Sequence, residues 1–443
     1  MLGYGVFLSL ILLLSPLGLA AQDWLRTATG LGGIRTRVGV ADFVPRDGAS
    51  EPWATLFSSV VRNDLDYSGI LELVSKSLYP LEAPPLPGLL NYATWNAPPV
   101  SAQFLAFGNV TVGQRNFSVE AWFYDLQNRG SPIIVRVYAA EATDAQMRRF
   151  AHQFADEIIV KLSGGMPGIA STQIAFVSAR GVDKEIWLMD YDGNDQRQLT
   201  FLHSIALTPR WSPDSTRIAF TCYPTSGTVL TAQICLYSTI TNRETSWQQF
   251  EGMNTAPAWS PDGGAIMFTS SRYGTPELFI ADANGNHVRR VTHSMGADIS
   301  AAFDPNTGQR VAFVSDRGGL PQLYTMNVDG EDTQKLPLPD MDYIVDPAWS
   351  PNGQLLAFSR RRPNGNYDLS VMDLVSQQVV DLTQDAGRNE RPSWAPDGRH
   401  IVFESTRTGV RQVWSMLSDG TRPRQLTTLG QNESPNWSPY PQE

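Results

Sequence analysis

The stretch AWSPDGGAIMF, residues 258–268, is one copy of a pattern that repeats through the C-terminal part of the chain. Its Trp-Ser-Pro-Asp core, or a close relative, begins at six positions spaced 48, 44, 46, 45 and 43 residues apart: Trp211, Trp259, Phe303, Trp349, Trp394 and Trp437. A period of about 40–50 residues is typical of β-propellers, in which each repeat forms one blade. The repeats therefore predict that residues 166–443 form an all-β six-bladed β-propeller.

Short apolar runs ending in Phe accompany the aromatic motif, offset from it by one copy. One run follows each of the first five motifs, but the run Ile174-Ala175-Phe176 precedes them all, and none follows Trp437. In a closed ring, the segment at Trp437 would pair with the strand at Ile174–Phe176 and complete a shared blade. Closure would also remove exposed sheet edges.

The residues within each repeat predict its local structure. Alternating apolar residues around Asp-Gly or Asn-Gly, as at Asp192-Gly193, predict hairpins with two-residue turns and positive φ at both residues. The six aromatic residues are interpreted as core between blades rather than as a ligand-stacking box.

The region 21–165 has no repeat and is predicted to be an α/β domain with a mixed sheet. Its apolar patterns predict strands at 37–43, 70–74, 104–112, 117–126 and 133–137, and helices at 51–66 and 143–162. A glycine- and proline-containing stretch, residues 163–168, links this domain to the propeller.

Residues 1–20 resemble a cleavable secretory signal peptide. An apolar run, Val6–Leu14, is followed by small residues that end at Ala20, so the mature chain would start at Ala21. The other interpretation is a buried or membrane-spanning helix, but the run is too short to cross a bilayer. A net charge of −10 with scattered Lys and Arg argues against nucleic-acid binding. We expect neither nucleic-acid partners nor direct membrane insertion.

Two cysteines, Cys222 and Cys235, fall in the predicted strands of one hairpin. In an oxidising compartment they could form a disulfide across it, or they could remain two buried thiols.

No motif for catalysis, cofactor binding or metal binding is present. The five histidines lack metal-ligand spacing, and no nucleophile elbow or phosphate-binding loop occurs. The segment Asp190–Asp195 resembles the start of a calcium loop, but its glycine is misplaced and no Glu stands at the twelfth position. It is interpreted as a hairpin turn, and no metal or cofactor is expected.

Polar residues that differ between repeats precede the aromatic motifs. In a propeller these segments, predicted to be loops, open at one end of the channel. They therefore predict a recognition surface, the alternative being ordinary solvated connections.

The chain resembles the TolB family of the Tol–Pal system. The residues that carry this resemblance are Val38–Phe43, Asn63–Gly69, Asp190–Gly193, the aromatic repeats and the ending Trp437–Tyr440. The resemblance implies a monomeric, non-enzymatic adaptor in the periplasm that supports envelope integrity and outer-membrane constriction at cell division.

The resemblance also implies two partner sites. The lipoprotein Pal would bind at the channel mouth through Met253, Asn254, Ala256, Asp346, Asn389, Glu390, Asn432 and Glu433. The inner-membrane protein TolA would contact the segment Ala21–Thr29, in particular Ala21, Gln22, Asp23, Trp24, Leu25 and Arg26. Docking of this segment between the domains would be coupled to Pal binding. Other periplasmic or outer-membrane proteins are further candidate partners.

A chain with these repeats could also have one of two other functions. A propeller peptidase of the prolyl oligopeptidase type needs a nucleophile elbow and a hydrolase domain, for which the chain has no room. A propeller that binds a sugar or another small ligand in its channel is the remaining alternative.

Overall fold

The computed structural model describes residues 24–33, 35–128, 130–223, 231–247, 250–338 and 343–441. The predicted signal peptide, residues 1–20, lies outside these ranges. Within them, no helix is long and apolar enough to cross a membrane.

The N-terminal domain is built on one mixed sheet with strand order β3-β1-β4-β5-β6, and β2 pairs with β4. The pairs β1–β3, β1–β4 and β2–β4 are parallel, whereas β4–β5 and β5–β6 are antiparallel. The strands are β1 Thr36–Val40, β2 Val44–Pro45, β3 Leu71–Leu73, β4 Phe104–Val112, β5 Asn116–Asp125 and β6 Ile134–Glu141. The mixed sheet is as predicted.

Two long helices cover one face of this sheet. The helices are α1 Glu51–Tyr67, α2 Tyr92–Asn96 and α3 Asp144–Leu162, and the short 3-10 turns are Gly48–Ser50, Lys76–Leu78 and Pro87–Leu89. Phe57 of α1 and Phe154 of α3 are fully buried against the sheet. The other face is covered by residues 75–103, which include α2 and the buried Trp95.

The propeller consists of six four-stranded antiparallel blades. Blade 1 contains β10 Ala206–Trp211, β11 Arg217–Cys222, β12 Gln233–Ser238 and β13 Arg243–Ser246; blade 2 contains β14 Asn254–Trp259, β15 Ala265–Ser270, β16 Glu277–Asp282 and β17 Arg289–Arg290. Blade 3 contains β18 Asp298–Phe303, β19 Arg310–Ser315, β20 Gln322–Asn327 and β21 Gln334–Lys335; blade 4 contains β22 Tyr343–Trp349, β23 Leu355–Arg361, β24 Tyr367–Asp373 and β25 Val379–Asp381. Blade 5 contains β26 Asn389–Trp394, β27 His400–Thr408, β28 Val410–Leu417 and β29 Arg424–Gln425. Blade 6 contains β30 Gln431–Trp437, β7 Gln173–Ala179, β8 Glu185–Asp190 and β9 Arg197–Gln198.

Blade 6 closes the ring, as the offset of the repeats predicted. The C-terminal strand β30 pairs antiparallel with β7, the first strand of the propeller, and Trp437 lies opposite Ile174. The two ends of the propeller sequence therefore share one sheet, which confirms the six-bladed fold.

The repeated aromatic residues are buried between blades, and three of them, Trp259, Trp349 and Trp394, also donate a hydrogen bond to the blade before. The indole N–H of Trp259 donates to the Arg210 carbonyl at 3.1 Å, and that of Trp394 donates to the Ala348 carbonyl at 3.0 Å. Phe303 occupies the same place in blade 3 without an N–H group to donate. The aromatic motif thus fixes the angle between neighbouring blades by packing and by a hydrogen bond.

The hairpin turns differ from the two-residue type predicted. In β8–β9 the Gly193 N–H donates to the Asp190 carbonyl at 2.9 Å, and Gly193 has φ of 89°, whereas Asp192 is not left-handed. The same bond closes the turns at Gly285, Gly330 and Gly420. These are three-residue loops, in which a type I turn is followed by a left-handed glycine.

Cys222 on β11 and Cys235 on β12 form a disulfide across their hairpin, with Cα atoms 5.8 Å apart. It ties the second and third strands of blade 1 beside the hairpin loop.

Candidate functional site: the propeller channel and its two faces

The polar segments before the aromatic motifs are strands, not the loops that the sequence predicted. They form the innermost strand of each blade, and each strand has a bulge where its pairing with the second strand shifts register. The bulged residues have φ between 50° and 56°: Thr208, Ala256, Ser300, Asp346, Arg391 and Ser434. The bulge turns these residues or their neighbours toward the channel.

Three asparagines of the predicted Pal site are fully buried at the start of these strands. The Asn254 amide donates to Gln233 Oε1 at 3.2 Å, and the Asn432 amide donates to Gln412 Oε1 at 2.7 Å. Asn389 accepts a hydrogen bond from the Ser405 hydroxyl of its own blade at 2.8 Å, and its amide donates to Asp368 of blade 4 at 3.4 Å. Because none of the three is exposed, they hold the blades together rather than form a contact surface. Of the other predicted residues, Met253 is half exposed.

Glu390 and Glu433 belong to a charged network between blades 5 and 6. Glu433 accepts hydrogen bonds from Lys184 at 2.5 Å and Arg411 at 2.7 Å. Burial raises the pKa of the Glu433 carboxyl, but Lys184 and Arg411 outweigh burial and hold this pKa below its usual range. Arg411 also lies 4.0 Å from Glu390, so the predicted acidic residues are already paired within the chain.

A cavity of about 500 Å³ occupies the channel, lined by the inner strands and the aromatic motifs of all six blades. Its charged lining residues are Arg210, Asp346 and Arg391. Arg391 donates to Glu404 at 3.0 Å. Arg210 makes no ion pair in the described part of the chain, and burial lowers its pKa from 12.5 to about 10. The Arg210 guanidinium donates to the Pro209 carbonyl at 2.9 Å. The channel is thus mainly lined by aromatic residues and prolines, with one guanidinium that lacks a carboxylate partner among the described residues.

The end of the channel where the inner strands begin is here named the mouth face. Loops before the first strands and between the second and third strands of the blades meet there. Half or more of each of seven apolar side chains on these loops is exposed: Val182, Phe201, Met253, Tyr273, Met295, Val410 and Leu429. Such a concentration of exposed apolar residues is typical of protein-binding surfaces.

The N-terminal domain packs on the opposite end, here named the domain face. The Tyr67 hydroxyl and the Ser415 hydroxyl are 2.8 Å apart, and His400 Nε2 lies 2.8 Å from the Tyr67 carbonyl. Nearby, the Tyr191 hydroxyl donates to Asp64 at 2.6 Å. Asp64 also lies 2.7 Å from His152 Nδ1. Burial opposes protonation of His152, but the Asp64 carboxylate outweighs it and raises the His152 pKa to about 9.

The segment predicted to contact TolA is partly described, and it is docked on the propeller. Residues 24–28 are helical, and the side chain of Leu25 is fully buried between blades 4 and 5. Arg26 lies 3.6 Å from Asp419 of blade 5, and Trp24 packs at the edge of the same cluster. The predicted residues Ala21, Gln22 and Asp23 lie outside the described residues.

The contacts of the domain interface, and the exposed apolar residues of the mouth face other than Met253, were not identified from the sequence. His152 and Asp64 are 88 residues apart, and Tyr67 and Ser415 are 348 apart, so no local spacing could reveal these contacts. Four of the seven exposed apolar residues could have been noticed, because they lie between the outer strand of one repeat and the inner strand of the next: Phe201, Met253, Met295 and Leu429.

An α/β domain packed on a closed six-bladed propeller, with an open channel mouth on the other side, defines a two-domain β-propeller protein. Residues 29–131 match the TolB amino-terminal domain, and residues 160–346 and 340–443 match the TolB beta propeller domain. The chain therefore belongs to the TolB family of Tol–Pal system proteins, as the sequence resemblance implied.

Individual relatives show the same similarity over the full length. The chain is 31% identical over 441 residues to Tol-Pal system protein TolB of Bordetella pertussis, with 99% of this chain and 96% of that protein covered. The corresponding protein of Bordetella bronchiseptica is also 31% identical, with 99% and 95% covered. The crystal structure of TolB from Acinetobacter baumannii gives a TM-score of 0.77 at 25% identity, covering 92% of this chain and 98% of that one.

Proposed function

We propose that this chain is a non-enzymatic periplasmic adaptor that binds the lipoprotein Pal at its mouth face and TolA through its N-terminal segment. In this role it supports envelope integrity and outer-membrane constriction at cell division. Family membership supports the Tol–Pal assignment. The observation that supports a Pal site here is the set of exposed apolar residues on the mouth face, which the N-terminal domain leaves uncovered.

Aspartate substitutions on the mouth face test the Pal site. Met295 is fully exposed and Phe201 is 63% exposed, so Met295→Asp and Phe201→Asp should fold normally while placing a charge in an apolar contact. We expect each to weaken Pal binding at least tenfold in isothermal titration calorimetry. Val375→Asp is the matched control, because Val375 is 87% exposed in a turn on the domain face. Equal Pal affinity in all four proteins would remove the mouth face from the site.

Charge reversal at Glu433, a residue of the predicted Pal site, is a poor test of that site. Its carboxylate bonds both Lys184 and Arg411, so Glu433→Lys would leave three cations together. We expect such a variant to lose thermal stability as well as any binding, and the two effects could not be separated.

The N-terminal segment carries the proposed TolA site. Since Leu25 is buried in the propeller, TolA can engage this side chain only after the segment leaves its pocket. Deletion of residues 21–29 should abolish TolA capture while Pal affinity is retained. Undiminished TolA capture by the deleted protein would refute the assignment.

A ligand in the channel is a second candidate function, favoured by the Arg210 guanidinium, which has no carboxylate partner among the described residues. The cavity of about 500 Å³ suits a small carboxylated sugar or acid. Calorimetric titration with glucuronate, compared between the unaltered protein and Arg210→Met, tests this alternative. Absence of heat with the unaltered protein would refute it for this ligand class.

A further inference from the structure

The domain interface contains a buried histidine with one unused ring nitrogen. His152 on α3 is 3% exposed, and its Nδ1 lies 2.7 Å from Asp64 Oδ2. Nε2 is buried and finds no hydrogen-bond partner within the described ranges. Buried polar atoms in folded proteins nearly always have a partner, so this nitrogen requires an explanation.

Two carboxylates of the propeller lie beside this histidine. Asp190 and Asp192 flank the turn that follows β8, and one oxygen from each lies within 4.8 Å of a His152 ring nitrogen and of the other oxygen. Because Nδ1 is engaged by Asp64, Nε2 is the nitrogen available to a ligand. Arg148 forms an ion pair with Asp192. Three carboxylates therefore surround one guanidinium and one imidazole, and the excess negative charge favours a cation.

We propose that His152 Nε2, Asp190 and Asp192 bind a divalent transition-metal ion such as Zn²⁺, which displaces the Nε2 proton into solvent and links the N-terminal domain to blade 6. One imidazole and two carboxylates form a ligand set that Zn²⁺ accepts, with water in the fourth position. Donor atoms in a tetrahedral zinc site are about 3.3 Å apart, so the side chains close in on binding and Asp192 exchanges Arg148 for the metal.

In this arrangement Asp64 would orient the metal-binding imidazole of His152 without contacting the metal itself. Metal-binding histidines commonly donate their other N–H to a carboxylate, which fixes the tautomer and orients the ring. Asp64 accepts from His152 Nδ1 and from the Tyr191 hydroxyl, so it is itself held by both domains. An ordinary buried ion pair between His152 and Asp64 would need no metal, and the two interpretations predict different behaviour on metal titration.

Calorimetric titration of ZnSO₄ into the EDTA-treated, dialysed protein tests the proposal. We expect one site per chain, with affinity reduced at least tenfold in Asp190→Asn and His152→Gln, and about 10–100-fold in Asp64→Asn. Arg148→Met should bind Zn²⁺ more tightly than the unaltered protein, because Asp192 is then free. His203→Gln is the control, since the His203 side chain is 82% exposed and could bind metal adventitiously.

The Arg148 variant keeps the test decisive even if the His152 variant fails to fold. Absence of Zn²⁺ binding by the unaltered protein overturns the proposal. So does binding that survives Asp190→Asn, or binding that is lost in His203→Gln. Arg148→Met affinity equal to or below that of the unaltered protein would refute the exchange at Asp192.

Discussion

Shortening Leu25 to alanine tests whether the N-terminal segment is held on the propeller by one buried side chain. Leu25 is fully buried among side chains of blades 4 and 5, including Leu355, Leu369 and Phe403. Leu25→Ala removes three buried carbon groups at about 0.8 kcal/mol each, or about 2.4 kcal/mol. The unfilled pocket can raise the loss further, toward the 2–5 kcal/mol typical of such substitutions.

A loss of about 2.4 kcal/mol shifts the equilibrium between docked and released segment about 50-fold toward release. Hydrogen exchange measures this directly, because the amides of Thr29 and Gly32 donate to the carbonyls of Leu25 and Arg26 only in the docked turn. We expect exchange in residues 24–33 to accelerate by about this factor, while exchange in the blades stays unchanged.

The same substitution at an exposed leucine provides the control. Leu81 is fully exposed in the N-terminal domain, so Leu81→Ala should leave exchange in residues 24–33 unaltered. Equal exchange in the Leu25→Ala and unaltered proteins would show that the segment is held by other contacts. If TolA binds the released segment, its apparent affinity should rise in Leu25→Ala in proportion to the released fraction.

Three further predictions concern the fold. Phe303→Trp should raise the free energy of unfolding by about 0.5–1.5 kcal/mol, measured by urea denaturation. The reason is that the new indole N–H can reach the Ala258 carbonyl, as Trp259, Trp349 and Trp394 reach the equivalent carbonyls. A lower free energy of unfolding would show that blade 3 cannot accommodate the indole. Gly330→Ala should lower the thermal midpoint of unfolding more than Gly365→Ala. Both glycines have a left-handed backbone, but a Cβ at Gly330 would lie 2.2 Å from a backbone carbonyl oxygen, whereas a Cβ at Gly365 would meet nothing within 4 Å. Equal losses in the two variants would contradict this steric reason. Burial raises the Asp156 pKa from 3.8 to about 6, so the folded state binds the carboxyl proton more tightly than the unfolded state does. The stability that this proton contributes is therefore lost as the pH rises from about 4 to 6. Asp156→Asn should make the free energy of unfolding less dependent on pH over that range, and an unchanged slope would show that other groups cause it.

The architecture could be predicted because its determinants are local and repeated. The offset between Trp437 and Ile174–Phe176 required ring closure, and the observed β30–β7 pairing joins those residues. Apolar spacing similarly placed α1, which runs from Glu51 to Tyr67. In both cases the spacing of apolar and aromatic residues along the chain was enough to predict which residues would be buried.

The site was harder to predict because its residues are hydrogen-bonded to residues of other strands, which only the fold brings near. Asn254, Asn389 and Asn432 are polar residues at the expected positions, but the adjacent strands supply amide and hydroxyl partners that bury them. The apolar residues around them, such as Met253, are more exposed. Polarity along a strand does not reveal which polar groups the neighbouring strand satisfies, so the sequence favoured residues that the structure places in the interior.

Trp394 belongs both to the channel lining and to the apolar cluster that contains Leu25. Its ring lines the channel cavity and also packs in the cluster that buries Leu25, while its N–H bonds the Ala348 carbonyl of blade 4. A partner that enters the channel and changes the angle between blades 4 and 5 would therefore alter the Leu25 pocket through this one side chain. Trp394→Phe keeps an aromatic ring, although a smaller one, and removes the N–H that bonds Ala348. It should therefore change how strongly channel binding affects hydrogen exchange in residues 24–33; an unchanged effect would contradict a link through Trp394.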